Sequence, residues 1–287
     1  GLMWREVIEI SRPKNVVLAA LTVPLGAHLS LAEAWDMQAI GLVALQTICV
    51  MFFIGAGNVC NDISDYSIDK LSKPQKPITS GRITISGAKK TGYIFAALSA
   101  LLMLVGIFLV DEPIPFAIVW LSAAGLMVTY DFGPKTKNSG LVGNVAISLM
   151  VGAVIIYGAA TVSKIKTPLV LYAAIVAFFA NLAREIVKDC EDIETDTGRN
   201  TMPMRIGLMN ARATAYVFVL LSMVFIGLAH LHGPFEYHHI VFHAPAIFLL
   251  FSLNGPLFRG EDYKAQQQIR FGMLLGLIAF AAQVSIL

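Results

Sequence analysis

Runs of about twenty apolar residues recur along the whole chain. AIGLVALQTICVMFFIGAG (39–57) and YIFAALSALLMLVGIFLV (93–110) are two of them, set apart by short polar or Pro/Gly-rich breaks. A helix of about 20 residues crosses the hydrocarbon core of a bilayer with its backbone hydrogen bonds satisfied internally. The recurrence therefore predicts an all-α, polytopic membrane protein with helices around a central cavity. Composition agrees: of 287 residues 56% are hydrophobic and 14% charged, too little charge to cover a water-facing surface.

Breaks in hydropathy give nine candidate spans, near 14–32, 37–57, 89–110, 114–131, 140–160, 167–187, 211–230, 239–256 and 269–287. Of the 21 lysines and arginines, all but Lys164 and Lys166 fall in the N-terminal segment or the even-numbered connections. Such a bias predicts that the N-terminus and these connections face the cytoplasm, in a multi-pass protein of the cell membrane. Hydropathy alone set the spans, so the alternation of charge supports them independently. The leading Gly1 reads as a remnant of tag cleavage, and no cleavable signal precedes the first apolar run.

Several functions recede at once. A net charge of +2 implies no nucleic-acid partner. Cys49, Cys60 and Cys190 are too scattered for a disulfide framework or a zinc site, and read as small fillers. Five of the six histidines lie between 230 and 243. His239 and His243 stand one helical turn apart, as metal ligands can, but on the side opposite the charged connections, where a surface cluster is expected.

The second and sixth connections carry the chemistry. NDISDYSID holds Asp62, Asp65 and Asp69; REIVKDCEDIETD holds Asp189, Asp192 and Asp196. Both read D-x-x-D-x-x-x-D, and both run into a basic Pro/Gly segment, KPQKPITSGR and GRNTMPMRIG. Four spans separate them, which predicts one membrane domain over 1–287 with two related halves, their acidic motifs at 58–82 and 184–207. If each motif continues its helix, its three aspartates share a face. Asn58 then stacks on Asp62, Asn61 on Asp65, and Glu185 on Asp189.

Three carboxylates on one stripe repel each other unless a cation sits among them. Hard oxygen donors without cysteine or histidine suit Mg²⁺, which binds through one or two carboxylates plus substrate phosphates. Two opposed stripes would hold a diphosphate by metal bridges, and the basic residues around them (Lys73, Lys76, Arg82, Arg184, Lys188 and Arg199) would neutralise what charge remains. Solvated helix caps, or a cation path through a transporter, are the competing readings of the same acids.

These residues resemble the two aspartate-rich motifs of the UbiA superfamily of intramembrane prenyltransferases, and within it most resemble archaeal digeranylgeranylglyceryl phosphate synthases. The resemblance extends to RPKN near the start, the nine spans, and TYDFGPKTKNSGLVGN after the fourth. It implies Mg²⁺-dependent transfer of a prenyl group from an allylic diphosphate to a lipid-soluble acceptor, within membrane lipid. It implies Asn61, Asp62, Asp65, Asp69, Asp189, Asp192 and Asp196 as metal ligands, with Asp65, Asp69, Asp192 and Asp196 closest to the chemistry. Arg12, Lys76, Tyr130 and Lys135 match substrate-binding positions, although the doubled basic pair of quinone-pathway relatives is missing around Lys135. If the acceptor is geranylgeranylglyceryl phosphate, Arg12, Lys14 and Lys73 stand where they could meet its phosphate; an aromatic quinone precursor is the alternative acceptor. Among the aromatics Phe52, Phe53, Tyr130, Phe132, Tyr157, Tyr172, Phe178 and Phe179, rings could shield a carbocation. The oligomeric state and the donor's chain length are not encoded in any of these features.

Overall fold

The structure, a computed structural model, describes residues 4–286; Gly1 lies outside the described residues. Among these residues nine helices are long and apolar enough to cross a membrane, and no strand occurs. A short amphipathic helix, α1 (Trp4–Ser11), leads into a first span built of α2 (Pro13–Ala20) and α3 (Thr22–Leu31). Then follow α4 (Met37–Ser64), the short α5 (Tyr66–Ser72), α6 (Ile85–Leu109), α7 (Pro113–Asp131), α8 (Leu141–Thr161) and α9 (Pro168–Glu191). The chain closes with α10 (Met202–Ile206), α11 (Leu208–His232), α12 (Ala244–Phe251), α13 (Asn254–Phe258) and α14 (Asp262–Ile286).

Local chemistry sets where these helices begin. Pro13, Pro113 and Pro168 occupy first-turn positions, where a missing N–H costs nothing. The Asp36 carboxylate accepts from Ala39 N at 2.7 Å and the Thr84 hydroxyl from Gly87 N at 2.9 Å, capping α4 and α6. Expected and observed spans differ at three ends. The second and sixth run on to Ser64 and Glu191, because the first residues of each acidic motif keep the helical ladder. The last begins at Asp262, a polar turn that hydropathy alone could not assign to a helix. The eighth is not a continuous α-helix: a 3₁₀ stretch, Tyr237–His243, precedes α12 and α13.

Helix α9 is the centre of the bundle. In its most apolar window 61% of the residues are buried, against 11% for α7, whose outer face is left to lipid. Around α9 pack α8, α11 and α14; α4 pairs with α6, and α3 lies along α8. The α3–α8 contact is backbone against backbone. A Cβ on Gly26 would lie 1.9 Å from Ile155 O, and one on Gly158 the same distance from Val23 O. Small residues permit such approach, which replaces the hydrophobic drive that lipid does not supply between helices.

The histidine cluster departs from expectation. His230 and His243 are buried and joined through Gln283, whose amide lies 2.8 Å from His230 Nε2 and 3.0 Å from His243 Nδ1. Phe235 and Phe280 pack on these rings. His243 turns away from His239 into a polar core, the only way a buried imidazole on this face finds partners.

Gly158→Val should therefore lower the thermal midpoint in detergent, at an overpacking cost of about 1–3 kcal/mol. Gly41→Ala, inside α4 with nothing within 4 Å of the new Cβ, is the control and should hold the midpoint or raise it slightly, since alanine favours a helix interior over glycine by about 0.5–1 kcal/mol.

Candidate functional site

The first acidic motif does not form one continuous stripe. The α4 ladder ends at Ser64, Asp65 takes φ −92° and ψ 8°, and the helix resumes as α5. Asp62 and Asp69 stay together because both pair with Lys76, at 3.2 and 2.7 Å. Asp62 also meets Arg12 at 2.5 Å. Asp65 is directed elsewhere, to Lys137 at 2.7 Å and Arg199 at 2.6 Å. All three carboxylates are buried. Arg12 sits in the left-handed region, φ 55°, in a turn held by Asn58, whose amide donates to Ser11 O at 2.8 Å.

The second motif departs further from the helical reading. Asp189 still lies on α9, accepting from Asn144 Nδ2 at 3.0 Å, but the helix stops at Glu191 and Asp192 caps it. Asp192 makes no ion pair among the described residues. Asp196 lies in the turn beyond, buried, with Arg199 at 3.2 Å. Arg199 is thus the bridge between the motifs, holding Asp65 of the first and Asp196 of the second.

A third segment completes the site, the connection after α7. Gly133 and Gly140 have positive φ, and Gly143 leaves no room for a Cβ, which would stand 2.3 Å from Thr136 O. This tight fold turns Lys135 outward and Lys137 inward. Of the two lysines the one at 135 was expected at the site; it is exposed, whereas Lys137 is buried between Asp65 and Asp131, 2.7 Å from each. Ser64 Oγ donates to Asp131 O at 2.8 Å and Asn200 N to Asn138 O at 2.9 Å, so α4, the α7–α8 connection and the second motif are tied together.

Electrostatics follow from this crowding. Burial pushes the Asp65 carboxyl up, but Lys137 and Arg199 outweigh it and hold it below the ordinary carboxylate value. For Asp196 burial prevails over Arg199 and the carboxyl is raised. Burial opposes the charge on Arg199, yet Asp65 and Asp196 keep its guanidinium more firmly protonated than usual. Arg199 Nε and the hydroxyls of Thr136 and Thr201 are buried with no hydrogen-bond partner among the described residues. Orphaned polar groups beside four buried aspartates mark a place where a polar ligand completes the network.

Three expected residues stand apart. Lys14 and Lys73 are exposed, and neither lines the cavity. Arg82 pairs with Glu9 and donates to Gln75 O at 2.7 Å, stapling its loop to α1 instead of facing the site. Long exposed side chains after a helix end have solvent and local partners available, which spacing cannot rule out.

Beneath the motifs lies a cavity of about 360 Å³, lined from α2, α3, α4, α7, α8, α9 and α14. Its mouth is polar, with Arg12, Asn58, Asn61, Tyr130 and Asp131. Its depth is apolar, with Leu18, Val50, Ile54, Val119, Val154 and Leu277. Of the expected rings Phe53, Tyr130 and Tyr157 face it, joined by Trp120; Phe52, Phe132, Tyr172, Phe178 and Phe179 are not in its wall. Arg184, Glu185, Lys188 and Arg270 occupy the α9 and α14 sides. Sequence reasoning passed over Asp131, Lys137, Asn144 and Arg270. The signal for the first was present: an acid beside Tyr130 at the end of an apolar span is costly unless paired.

The motif side chains offer oxygen donors only. Among the described residues no three of them gather closely enough to cage a metal ion by themselves, because lysine and arginine take the charge instead. That fits Mg²⁺, which keeps waters and arrives with phosphate oxygens, better than an ion needing a full protein cage.

Comparison with known proteins bears on the same residues. The UbiA prenyltransferase family matches residues 17–280. The chain is 34% identical over 284 residues to a digeranylgeranylglyceryl phosphate synthase of Methanobrevibacter smithii, covering 96% of each chain. A solved structure concerning the biosynthesis of digeranylgeranylglyceryl phosphate synthase in membranes superposes with a TM-score of 0.78 at 26% identity, over 99% of both chains. A UbiA homologue from Archaeoglobus fulgidus, bound to GPP and Mg²⁺, has the same fold at 17% identity, TM-score 0.73, over 98% of this chain and 100% of that one. With a family match over residues 17–280, nine spans among the described residues and near full-length similarity, the chain belongs to the UbiA prenyltransferase family.

Proposed function

We propose that this prenyltransferase moves a geranylgeranyl group from geranylgeranyl diphosphate to the free hydroxyl of geranylgeranylglyceryl phosphate, forming an ether of archaeal membrane lipid. The observation that carries it is the bridged pair of acidic motifs at the mouth of an apolar cavity, in a chain similar over nearly its whole length to synthases of that name. Family membership removes the cation-transporter reading. The Lys/Arg bias supports a cytoplasmic N-terminus and cytoplasmic motifs in the cell membrane, as one domain of two related halves.

Mg²⁺ would be held by Asn61, Asp62, Asp65, Asp69, Asp189, Asp192 and Asp196, and when bound would supply positive charge to the leaving diphosphate. The A. fulgidus homologue bound to GPP and Mg²⁺ supports the use of Mg²⁺. The chain's own residues do the rest. Arg12, Lys76, Lys137 and Arg199 form a preorganised positive wall that stabilises charge as it develops on the diphosphate. Tyr130, at the polar mouth, would face an allylic cation formed there, and Trp120, about 15 Å deeper along α7, lines the path of the tail. The apolar depth takes the isoprenoid tail and keeps water from the cation. The acceptor oxygen attacks C1 and releases its proton to a motif carboxylate or to solvent at the polar mouth.

The direct test is transfer from radiolabelled geranylgeranyl diphosphate by the purified protein, with Mg²⁺ or EDTA, to geranylgeranylglyceryl phosphate or 4-hydroxybenzoate. Product with the glyceryl lipid that disappears in EDTA is expected; product with the phenol alone overturns the acceptor. Two substitutions probe the clamp. Asp192→Asn removes no ion pair, so it should cost at least about 100-fold in kcat with the fold intact. Lys137→Met strands Asp131 and leaves Asp65 to Arg199 alone, at about 3–5 kcal/mol of stability as well as activity, whereas Lys135→Met should change neither.

A further inference from the structure

Nearly every buried or half-buried cation near the motifs has an acid against it. Lys76, Lys137, Arg199 and Arg212 each pair with a carboxylate at 2.8 Å or less. Arg184 and Arg270 are the exceptions. Both line the cavity, from the packed helices α9 and α14. Among the described residues neither makes a salt bridge, and Arg270 makes no side-chain hydrogen bond. Arg184 uses only Nε, donating to Gln266 Oε1 at 3.0 Å, which fixes the guanidinium and leaves its two terminal nitrogens unengaged. The nearby Glu185 is engaged with Lys188 at 3.5 Å. Two guanidinium groups lining one low-dielectric cavity, neither paired with a carboxylate, are unfavourable until an anion answers them.

The surroundings define the anion. After Arg270, cavity-lining residues on α14 recur at helical spacing as Met273, Leu274 and Leu277, all apolar. A ligand with its charge at Arg270 therefore has a hydrocarbon wall immediately below it. The donor's diphosphate has its own cations, since Arg12, Lys76, Lys137 and Arg199 stand at the aspartates. Forked guanidinium donors engage phosphate oxygens in pairs, and the N–H groups of Arg270 together with the terminal nitrogens of Arg184 are free to do so.

We propose that Arg184 and Arg270 bind the phosphate monoester of the lipid acceptor, apart from the diphosphate site at the aspartates, and that this pair makes the enzyme select an anionic acceptor over a neutral one. The proposal rests on the acceptor reading above and replaces Lys14 and Lys73, which the fold leaves exposed, as the acceptor's phosphate contacts. It requires no movement of the motifs. Lys188 supplies a further positive charge at the edge of the same wall.

The test is steady-state kinetics of the full-length wild type and Arg270→Gln, each substrate varied in turn, with geranylgeranylglyceryl phosphate and its dephosphorylated alcohol as acceptors. In R270Q the KM for the phosphorylated acceptor should rise about 10- to 100-fold, and the preference for phosphate over alcohol should fall by the same factor. The KM for geranylgeranyl diphosphate should stay within about threefold. If R270Q does not purify folded, Arg270→Lys keeps the charge but loses the fork, and a rise of about 3- to 10-fold is expected. An unchanged preference for the phosphate, or a donor KM that rises equally, overturns the assignment while leaving the proposed reaction standing. A wild type that uses 4-hydroxybenzoate and neither glyceryl lipid overturns the reaction itself and the assignment with it.

Discussion

Charge buried at the edge of a membrane has to be answered locally, and Arg199 is where this protein answers it. Its guanidinium holds Asp65 and Asp196, which come from connections separated by four spans. Lys137 holds the same Asp65 against Asp131. Alternating charges thus run across three connections, each sign fixed by the next. Desolvating so many ions is costly, and the arrangement persists only because every member has a partner or a ligand to come. The break in the helix at Asp65, the tight α7–α8 connection and the end of α9 before Asp192 each turn a side chain into this network.

The apolar bundle serves that network by keeping one side open. Glycine contacts bring α3 against α8 backbone to backbone, and α9 is enclosed by α8, α11 and α14. Tight packing on those faces puts the slack on the face that α9 shares with α2, α4, α7 and α14, where the cavity lies. A long isoprenoid needs such a volume without water, and a reactive cation needs it more.

How much of this could be read beforehand follows from the range of the interactions involved. Hydropathy and the Lys/Arg count are sums over long segments, so the nine spans emerge from them with errors only at the ends. Motif spacing is also local, and it located the acids. What spacing could not do was decide between continuing and ending a helix. The first motif breaks at Asp65, whose partners Lys137 and Arg199 lie far along the chain, and the second leaves its helix at Asp192, where Asp196 turns to Arg199. The choice of Lys137 over Lys135 depends on a turn whose glycines must clear Thr136 O. The buried His230–Gln283–His243 chain was unreadable for the same reason: Gln283 comes from α14 and reaches residues on α11 and the 3₁₀ stretch. Arg270 counted with the basic residues of the eighth connection, but its helix begins about two turns before the expected start and carries it into the cavity wall.

That last displacement matters chemically. In a cavity whose acids are all matched by cations, two unmatched arginines change the sum from neutral to positive at one wall. A neutral acceptor would leave that charge buried and unanswered, while a phosphorylated one cancels it and brings a hydrocarbon chain to the Leu274 and Leu277 side of α14. Donor and acceptor are then sorted by charge geometry before any bond forms: the diphosphate goes to the wall of paired aspartates and bases, the monophosphate to the side that carries the two unpaired arginines. The same apolar chain chemistry suits both molecules, so only the heads can tell them apart, and the protein places a different electrostatic environment at each.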